Sequence, residues 1–162
     1  MTGTDLDDLA ALLVDAVDSN ASVGFGAHLA LDHARSWWQE RLADERVTVL
    51  VERDTDGHVV GTVQLVRPAT PNGRHRAEVA KLLVHRRARR QGIGERLLQR
   101  VDQEARQLGL TLLFLDTETE SEGDRLYRRL GWEVAGVIPG FAYRPDGELR
   151  PTTFLFRQFT PA

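Results

Sequence analysis

The stretch 84–98, VHRRARRQGIGERLL, carries five arginines and a histidine and runs through Gly-x-Gly into an apolar helical pattern. The first amides of a helix have no partner within the helix, and the helix dipole adds positive charge, so a helix start attracts anions. Glycines let a ligand approach the backbone closely, and arginines donate two parallel hydrogen bonds to phosphate. The stretch therefore predicts a phosphate or pyrophosphate cradle. For this stretch taken alone, the alternative interpretation is a basic surface turn that contains Gly-x-Gly by chance.

The spacing excludes two common nucleotide-binding loops. A P-loop needs a lysine and then a serine or threonine directly after its second glycine, and no lysine follows Gly94. A dinucleotide-binding loop needs a third glycine where this chain has Leu97. That loop also comes early in a βαβ unit, whereas here three predicted strands precede the glycines.

Composition narrows the class of protein. The chain has 162 residues and a formal net charge of −3, which predicts one domain over residues 1–162 and disfavours a nucleic-acid coat or an anionic membrane as partner. It has no cysteine, which excludes thiol catalysis and cysteine-zinc sites, and its histidines show no metal spacing, so we expect no metal. Lys81 is the single lysine among 21 basic residues. No signal or membrane-spanning pattern stands out, so we expect a cytoplasmic protein.

Hydrophobic periodicity predicts the elements that position this chemistry. The predicted order is α, α, β, β, β, α, β, α, β, β, which is typical of a mixed α/β sheet protein. The predicted helices are 5–17, 32–43, 92–108 and 121–131, and the predicted strands are 46–52, 59–66, 76–84, 110–116, 132–138 and 152–159.

Two spaced motifs resemble those of the GNAT acyltransferase superfamily, which binds acetyl-CoA. Arg89, Gly92 and Gly94 match its Arg/Gln-x-x-Gly-x-Gly/Ala motif, and LYRRLGW at 126–132 is similar to its Leu-Tyr-x-x-x-Gly-Phe. Further stretches, such as RAEVAKLLVHRRARRQGIG, look like the tabtoxin-resistance type of small-molecule N-acetyltransferase. The resemblance implies an α/β (α+β) fold with a mostly antiparallel central sheet of six to seven strands and helices on both faces. It also implies that the family's fourth and fifth strands, 76–84 and 110–116 here, splay apart.

The resemblance implies where acetyl-CoA binds. The pantetheine arm would pair with the backbone of Leu82, Leu83 and Val84, and an amide near Val84 would polarise the acetyl carbonyl. The pyrophosphate would lie on the backbone amides of Arg89, Arg90, Gln91, Gly92, Ile93, Gly94 and Glu95.

The resemblance also suggests the catalytic groups. Tyr127 would donate a proton to the departing coenzyme thiolate, although a tyrosine that merely packs on the sheet is the alternative. The amine must lose a proton before it attacks, which costs about 4–5 kcal/mol at pH 7 for an ordinary alkyl amine. A carboxylate base would relieve this cost. Asp116, at the end of the apolar strand, is the first candidate, and Glu78 is the second; both could instead serve only in hydrogen bonding.

The acceptor side would be formed by the loop between the first two helices and by the last hairpin. The candidate acceptor contacts are Ser22, Val23, Phe25, Trp38 and Tyr143. Core packing is the alternative for these side chains, and for the tryptophans it is at least as well supported.

The leading functional hypothesis is acetyl transfer from acetyl-CoA to the primary amine of a small molecule, such as an amino-acid-like toxin or antibiotic. The first alternative is a protein N-terminal or lysine acetyltransferase, which needs an open groove for a peptide. The second is a non-catalytic module that binds coenzyme or nucleic acid through the arginines, which the acidic total charge disfavours.

The chain departs from the family pattern in two places. Glu120 stands where many members have an asparagine that contacts the coenzyme, so that contact is doubtful. Residues 1–4 are too short for the family's first strand unless the true start lies upstream, which predicts that strand 46–52 lies at the sheet edge. We expect a homodimer to cover this edge, or else a short, twisted edge guarded by Arg46, Glu52 and Arg53.

Overall fold

Six strands form one sheet in the order β1-β2-β3-β4-β6-β5 in a computed structural model that describes residues 3–160. Every neighbouring pair is antiparallel except β3 and β4, which are parallel. The elements are α1 (Gly3–Asp18), α2 (Leu31–Ala43), β1 (Val47–Arg53), β2 (Val59–Val66), β3 (Arg76–Val84), α3 (Ile93–Gln107), β4 (Leu112–Glu118), α4 (Glu122–Arg129), β5 (Glu133–Tyr143) and β6 (Leu149–Gln158). This order and the mixed, mostly antiparallel sheet confirm the fold predicted from the sequence.

Different helices cover the two faces of the sheet, as predicted. On one face α3 and α4 bury a cluster that includes Val63, Leu65, Val79, Leu97, Val101, Leu113 and Tyr127. On the other face α1 and α2 bury a cluster that includes Leu9, Leu12, Leu13, Trp38, Val59 and Leu83. We call these the α3 face and the α1–α2 face. The apolar residues of α3 recur at helical spacing, which is why one side of that helix is buried.

Strands β3 and β4 part after only three residue pairs, of which the last is Glu78 with Phe114. Beyond that pair β3 continues beside β2, and β4 continues beside β6. The side of residues 79–84 that faces β4 therefore has no strand partner within residues 3–160. The splay expected from the sequence is thus a property of this fold, and we call the space between the two strands the gap.

A bulge in β3 lies beside the gap. Gln64 on β2 is paired with Ala80, and Thr62 is paired with Leu83, so the single residue between Thr62 and Gln64 faces both Lys81 and Leu82. The extra residue is accommodated at Lys81, whose φ of 52° lies in the left-handed region. The bulge shifts the alternation of side chains between faces for the rest of β3.

Strand β1 lies at the sheet edge, as predicted. Within residues 3–160 it pairs with β2 alone, and α1 already begins at Gly3. Two residues of the proposed missing strand, 1 and 2, lie outside the described part of the chain. Two of the expected guard residues are engaged inside the subunit, since Glu52 pairs with Arg96 at 2.8 Å and Arg53 with Asp5 at 2.7 Å. The homodimer stays a prediction.

Helix α1 is anchored to the loop that follows β3. The buried carboxylate of Asp15 accepts a hydrogen bond from the backbone amide of Arg86 at 3.0 Å and another from its guanidinium. Burial by itself raises the pKa of Asp15, but the hydrogen bonds from Arg86, with the charges of His85 and Arg86, outweigh it and leave the pKa lowered. The carboxylate of Asp15, on helix α1, therefore holds the loop that follows β3 in place.

Replacing Asp15 with Asn should destabilise the protein by about 1–3 kcal/mol at neutral pH, because a charged acceptor is lost. A lowered carboxyl pKa contributes stability that is present above the usual aspartate range and is lost as pH falls through the folded-state pKa. The deficit of Asp15→Asn should therefore narrow as the pH is lowered. Urea unfolding of both proteins at about pH 7 and about pH 3 measures this. An equal deficit at both pH values would show that the charge is not what matters.

Candidate active site

The segment between β3 and α3 forms a cradle of backbone amides. A single 3-10 turn at Arg86–Ala88 follows the strand, and Arg90 and Gly92 then take φ values of 61° and 73°. Helix α3 begins at Ile93 with no side chain capping its first amides. Positive φ values at two positions just before the helix favour a loop whose N–H groups face one side, and the uncapped helix start adds its own unpaired amides. This arrangement suits a pyrophosphate.

Most of the arginines in this segment are engaged by the protein itself. Four contacts hold them: Arg86 with Asp15, Arg87 with Asp54 at 3.0 Å, Arg89 Nε with the carbonyl of Val84 at 3.2 Å, and Arg96 with Glu52 at 2.8 Å. Arg90 differs, since its side chain is 90% exposed and its ionic contact is at 3.8 Å with Glu122, whose side chain is 70% exposed. The paired arginines therefore fix the conformation of the loop and contribute little free positive charge. Arg90 is the arginine best placed to contact a phosphate.

The local structure also determines where the other residues of the expected coenzyme site lie. Leu83 is buried on the α1–α2 face, whereas Leu82 and Val84 pack on the α3 face, so the backbone rather than the side chains is available at the gap. Gln91 is exposed, Ile93 is buried, and Glu95 lies 3.9 Å from Arg129.

Gly94 has a packing role that the motif did not reveal. A Cβ at this position would lie 3.0 Å from Leu126 Cδ2, so the absence of a side chain lets α3 and α4 approach closely. The two family motifs therefore meet in space, because Leu126 precedes Tyr127.

Tyr127 lies on the α3 face. Its side chain is buried and packs edge-on against Trp132 with ring centroids 5.5 Å apart. Burial raises the pKa of its phenol, and the negative charge of Asp116 raises it further. The phenol is therefore held protonated, as a proton donor must be.

Glu78 and Asp116 lie on the α1–α2 face, on the two strands that part. Glu78 stands between Ala77 and Val79, which are buried on the α3 face, so its side chain points the other way. The same argument from Leu115 places Asp116 on that face. Burial raises the pKa of the half-buried Glu78, and the charge of Asp116 adds to this, while Lys81 opposes it. Asp116 is exposed.

Lys81 is a site residue that sequence reasoning did not identify. The bulge brings its side chain to the α1–α2 face, where Nζ lies 5.5 Å from the centroid of the Trp37 ring. The guanidinium of Arg41 lies over the same ring at 5.7 Å. Burial lowers the pKa of Lys81, and the charges of Glu78 and Asp116 oppose that effect. The sequence did offer one signal for Lys81. The only lysine of the chain stands in a predicted strand, three residues after Glu78.

The expected acceptor residues are only partly brought together. Phe25 packs edge-on against Trp37 with centroids 5.5 Å apart, and Val23 belongs to the same cluster. Trp38 is 0% exposed, so it belongs to the core and cannot contact a ligand without repacking. Its neighbour Trp37 is the tryptophan that faces Lys81. Tyr143 is 67% exposed on the last hairpin.

The loop between α1 and α2 is bound to the hairpin between β5 and β6. Asn20 Nδ2 donates to Asp146 Oδ2 at 2.6 Å, and the backbone amide of Asp146 donates to Asn20 Oδ1 at 3.1 Å. Ser22 Oγ also lies 3.5 Å from the carbonyl oxygen of Tyr143. A Cβ on Gly24 would lie 3.8 Å from Lys81 Nζ, so the loop runs close to the site. The loop and hairpin thus bound one side of the gap.

The described part of the chain, residues 3–160, holds no group of three or more His, Asp or Glu side chains arranged to bind a metal ion. Over the same range no helix combines the length and the apolar character needed to cross a membrane.

Comparison with known proteins identifies the family. The family model described as "Acetyltransferase (GNAT) family" matches residues 13–132, a range that includes the cradle, both carboxylates and Tyr127. This chain belongs to the GNAT acetyltransferase family. It is 34% identical over 143 residues to an N-acetyltransferase encoded between hisH and hisA in Azospirillum brasilense, covering 86% of this chain and 84% of that protein.

Other relatives differ in the acceptors that their names state. An L-methionine sulfoximine/L-methionine sulfone acetyltransferase of Pseudomonas aeruginosa is 27% identical, covering 83% of this chain and 78% of that protein. The crystal structure of a ribosomal-protein-alanine N-acetyltransferase from Brucella melitensis has a TM-score of 0.83 at 26% identity, over 98% of this chain and 97% of that one. A Salmonella typhimurium structure with its cofactor acetyl-CoA has a TM-score of 0.82 at 22% identity, over 100% and 92% of the chains. The fold is therefore that of GNAT acetyltransferases.

Replacing Gly92 with Val should abolish acetyl-CoA binding, because the side chain strains a left-handed position and blocks close approach to the backbone. The readout is the rise in melting temperature on adding acetyl-CoA. Gly109→Val is the matched control, since Gly109 has a φ of 67°, lies just beyond the other end of α3 and would place its Cβ in open space.

Both variants should lose stability, but only Gly92→Val should lose the acetyl-CoA-dependent shift. A wild-type acetyl-CoA-dependent shift in Gly92→Val would show that the pyrophosphate does not bind at this cradle.

Proposed function

We propose that this GNAT protein transfers an acetyl group from acetyl-CoA to the primary amine of a small molecule. The observation that carries the proposal is the pair of hydrogen bonds between Asn20 and Asp146, which ties the α1–α2 loop to the last hairpin beside the gap. A small acceptor fits a site bounded in this way, whereas a protein tail needs an open groove. The relative that acts on methionine sulfoximine supports the same class of acceptor.

The coenzyme would enter from the α3 side. Its pyrophosphate would lie on the amides of the cradle, and its pantetheine arm would pair with the free side of β3 up to Val84. The acetyl carbonyl would then sit in the gap, where a backbone amide near Val84 stabilises the negative oxygen that forms during attack. The structure with acetyl-CoA that shares this fold supports this cofactor.

Glu78 suits the role of general base better than Asp116. A base works best when its pKa is close to the working pH, and burial raises the pKa of Glu78 toward that range. Asp116 is exposed, and its negative charge helps to hold the pKa of Glu78 up. Burial and the direction of its pKa therefore favour Glu78, the second of the two candidates from the sequence, as the base.

The reaction then balances without another reactant. Glu78 takes one proton from the ammonium form of the acceptor, directly or through water, and the free amine attacks the acetyl carbon. The tetrahedral intermediate collapses with cleavage of the C–S bond. Tyr127 gives its proton to the coenzyme thiolate, and the nitrogen loses its second N–H proton to water. Glu78 then releases its proton to water and Tyr127 takes one back, so that the net products are the amide, the coenzyme thiol and one proton.

A protein N-terminal acetyltransferase is the second candidate, because the ribosomal-protein-alanine enzyme shares 26% identity over nearly the whole chain. The loop–hairpin bridge argues against it. A nucleic-acid-binding module is disfavoured by the net charge of −3 and by the pairing of most arginines in the cradle.

Release of free coenzyme thiol from acetyl-CoA tests the proposal directly. The panel should contain small primary amines, amino acids and peptides with free N-termini, with identification of the acetylated product by mass. Turnover with small amines and little with peptides is the expected result. Turnover only with peptides, or with nothing in the panel, would overturn it.

Tyr127→Phe should lower kcat by about 10²–10⁴-fold and leave acetyl-CoA affinity unchanged, because the ring still packs on Trp132 while the proton donor is gone. Steady-state kinetics and the acetyl-CoA-dependent shift in melting temperature check the two parts. A variant with unaltered kcat would make Tyr127 a packing residue only.

Glu78→Gln should slow the reaction most at neutral pH and recover in part at high pH, where free amine is abundant. Asp116→Asn should keep the base but move the acidic limb of kcat/KM to lower pH, because a negative charge that raises the pKa of Glu78 is removed. Rate profiles of the three proteins against pH measure both effects. If Asp116→Asn alone lost activity at neutral pH and recovered it at high pH, Asp116 would be the base instead.

A further inference from the structure

The conformation of Lys81 is unusual for its position. A φ of 52° is strained for a residue with a side chain, and it occurs here inside a strand. Such strain costs on the order of 1–3 kcal/mol and persists where the surrounding structure enforces it, most often at functional sites. Glycine takes this conformation without the cost, yet the position holds the only lysine of the chain.

The strain determines which face of the sheet receives the ammonium group. In an unbroken strand Lys81 would share the face of Ala77 and Val79, which is the buried α3 face. The bulge instead places it on the α1–α2 face with Glu78, although the two residues are three apart. The backbone distortion thus brings a cation to the acceptor side of the gap.

The cation has no anionic partner there. The ammonium group of Lys81 forms no hydrogen bond and no ion pair of 4.0 Å or less with any residue in 3–160, and its contact is with the face of Trp37. Arg41, over the same ring, likewise forms no ion pair with a residue in that range. The negative charges of Glu78 and Asp116 are near enough to oppose the lowering of the Lys81 pKa, but neither carboxylate pairs with its ammonium.

We propose that Lys81 binds a carboxylate of the acceptor, so that the preferred acceptors are α-amino acids and not simple amines. This inference rests on the proposed acetyl transfer. In an α-amino acid one carbon separates the ammonium from the carboxylate, so the ammonium can face Glu78 while the carboxylate faces Lys81. Arg41 strengthens the positive end of the site, and the rings of Trp37 and Phe25 leave an apolar wall for the acceptor side chain.

The direction of the Lys81 pKa agrees with this role. Burial lowers that pKa, which means that the ammonium is poorly solvated. A bound carboxylate would stabilise the charged form and receive a charge-assisted hydrogen bond in return.

Matched triplets of acceptors test the proposal. Each triplet contains an α-amino acid, its carboxamide and the amine that lacks the carboxyl group, built on L-methionine sulfone, L-phenylalanine and L-leucine. The wild-type protein should prefer the acid in every triplet that it acetylates. Lys81→Met should lower kcat/KM for the acid by about 10- to 100-fold, mainly through KM, and should change the two uncharged analogues little.

Lys81→Gly is the second variant, because glycine accepts the left-handed conformation and keeps the bulge. It should equal or exceed the wild type in thermal stability and show the same selective loss for the acid. This variant decides the outcome even if Lys81→Met folds poorly. Lys81→Arg, which keeps the charge, should retain part of the preference for the acid.

Each outcome points to one conclusion. Equal losses for the acid and its uncharged analogues in Lys81→Gly would make Lys81 a structural residue and overturn the proposal. Acetylation of amines in the panel with no preference for the acid in any triplet would also overturn it, while leaving acetyl transfer intact. Failure to release thiol with every amine in the panel would instead remove the proposed function itself.

Discussion

The parting of β3 from β4 is the constraint on which the rest of the structure depends. Parallel neighbours normally satisfy each other's backbone groups, and buried unpaired groups are costly. Here three pairs hold the strands together and the remainder of β3 is left with one free side beside the gap. An extended ligand can complete that side as an added strand would. The gap also lets chemistry from one face of the sheet reach the other, since Tyr127 and Glu78 lie on opposite faces.

Which of the charges around the gap are paired matters more than how many charges there are. Surface ion pairs contribute little to stability, and the arginines of the cradle that pair with acids are better understood as positioning the loop. The buried Asp15 is different, because it fixes a backbone amide at the start of that loop. With those charges compensated, the unpaired cations at Trp37 stand out on the side proposed for the acceptor, and the proposed coenzyme side offers backbone amides and Arg90.

The sequence was sufficient for the features that depend on periodicity and on glycine. The order of elements, the limits of β2 and β3 and the start of α3 at the glycine turn follow from local patterns, and the structure confirms them. The side-chain directions after the bulge could not be predicted, because one residue with a left-handed φ reverses the alternation. Strict alternation assigns Lys81 to the wrong face. For Trp38 the sequence left acceptor contact and core packing open, and its full burial favours core packing. Adjacent helical residues point in different directions, and sequence spacing alone did not resolve which of the two tryptophans faces the core.

The bridge between Asn20 and Asp146 has a consequence for the order in which the molecule assembles. Its partners are 126 residues apart in the chain, whereas the cradle and β3 are adjacent in sequence. Closing a long loop costs more chain entropy than closing a short one, and domains emerge from the ribosome from their N-terminus. During synthesis, β3 and the cradle are complete before the hairpin that meets the α1–α2 loop has been made. The half of the molecule proposed to bind the coenzyme can therefore form first, and the bridge proposed to bound the acceptor is completed last.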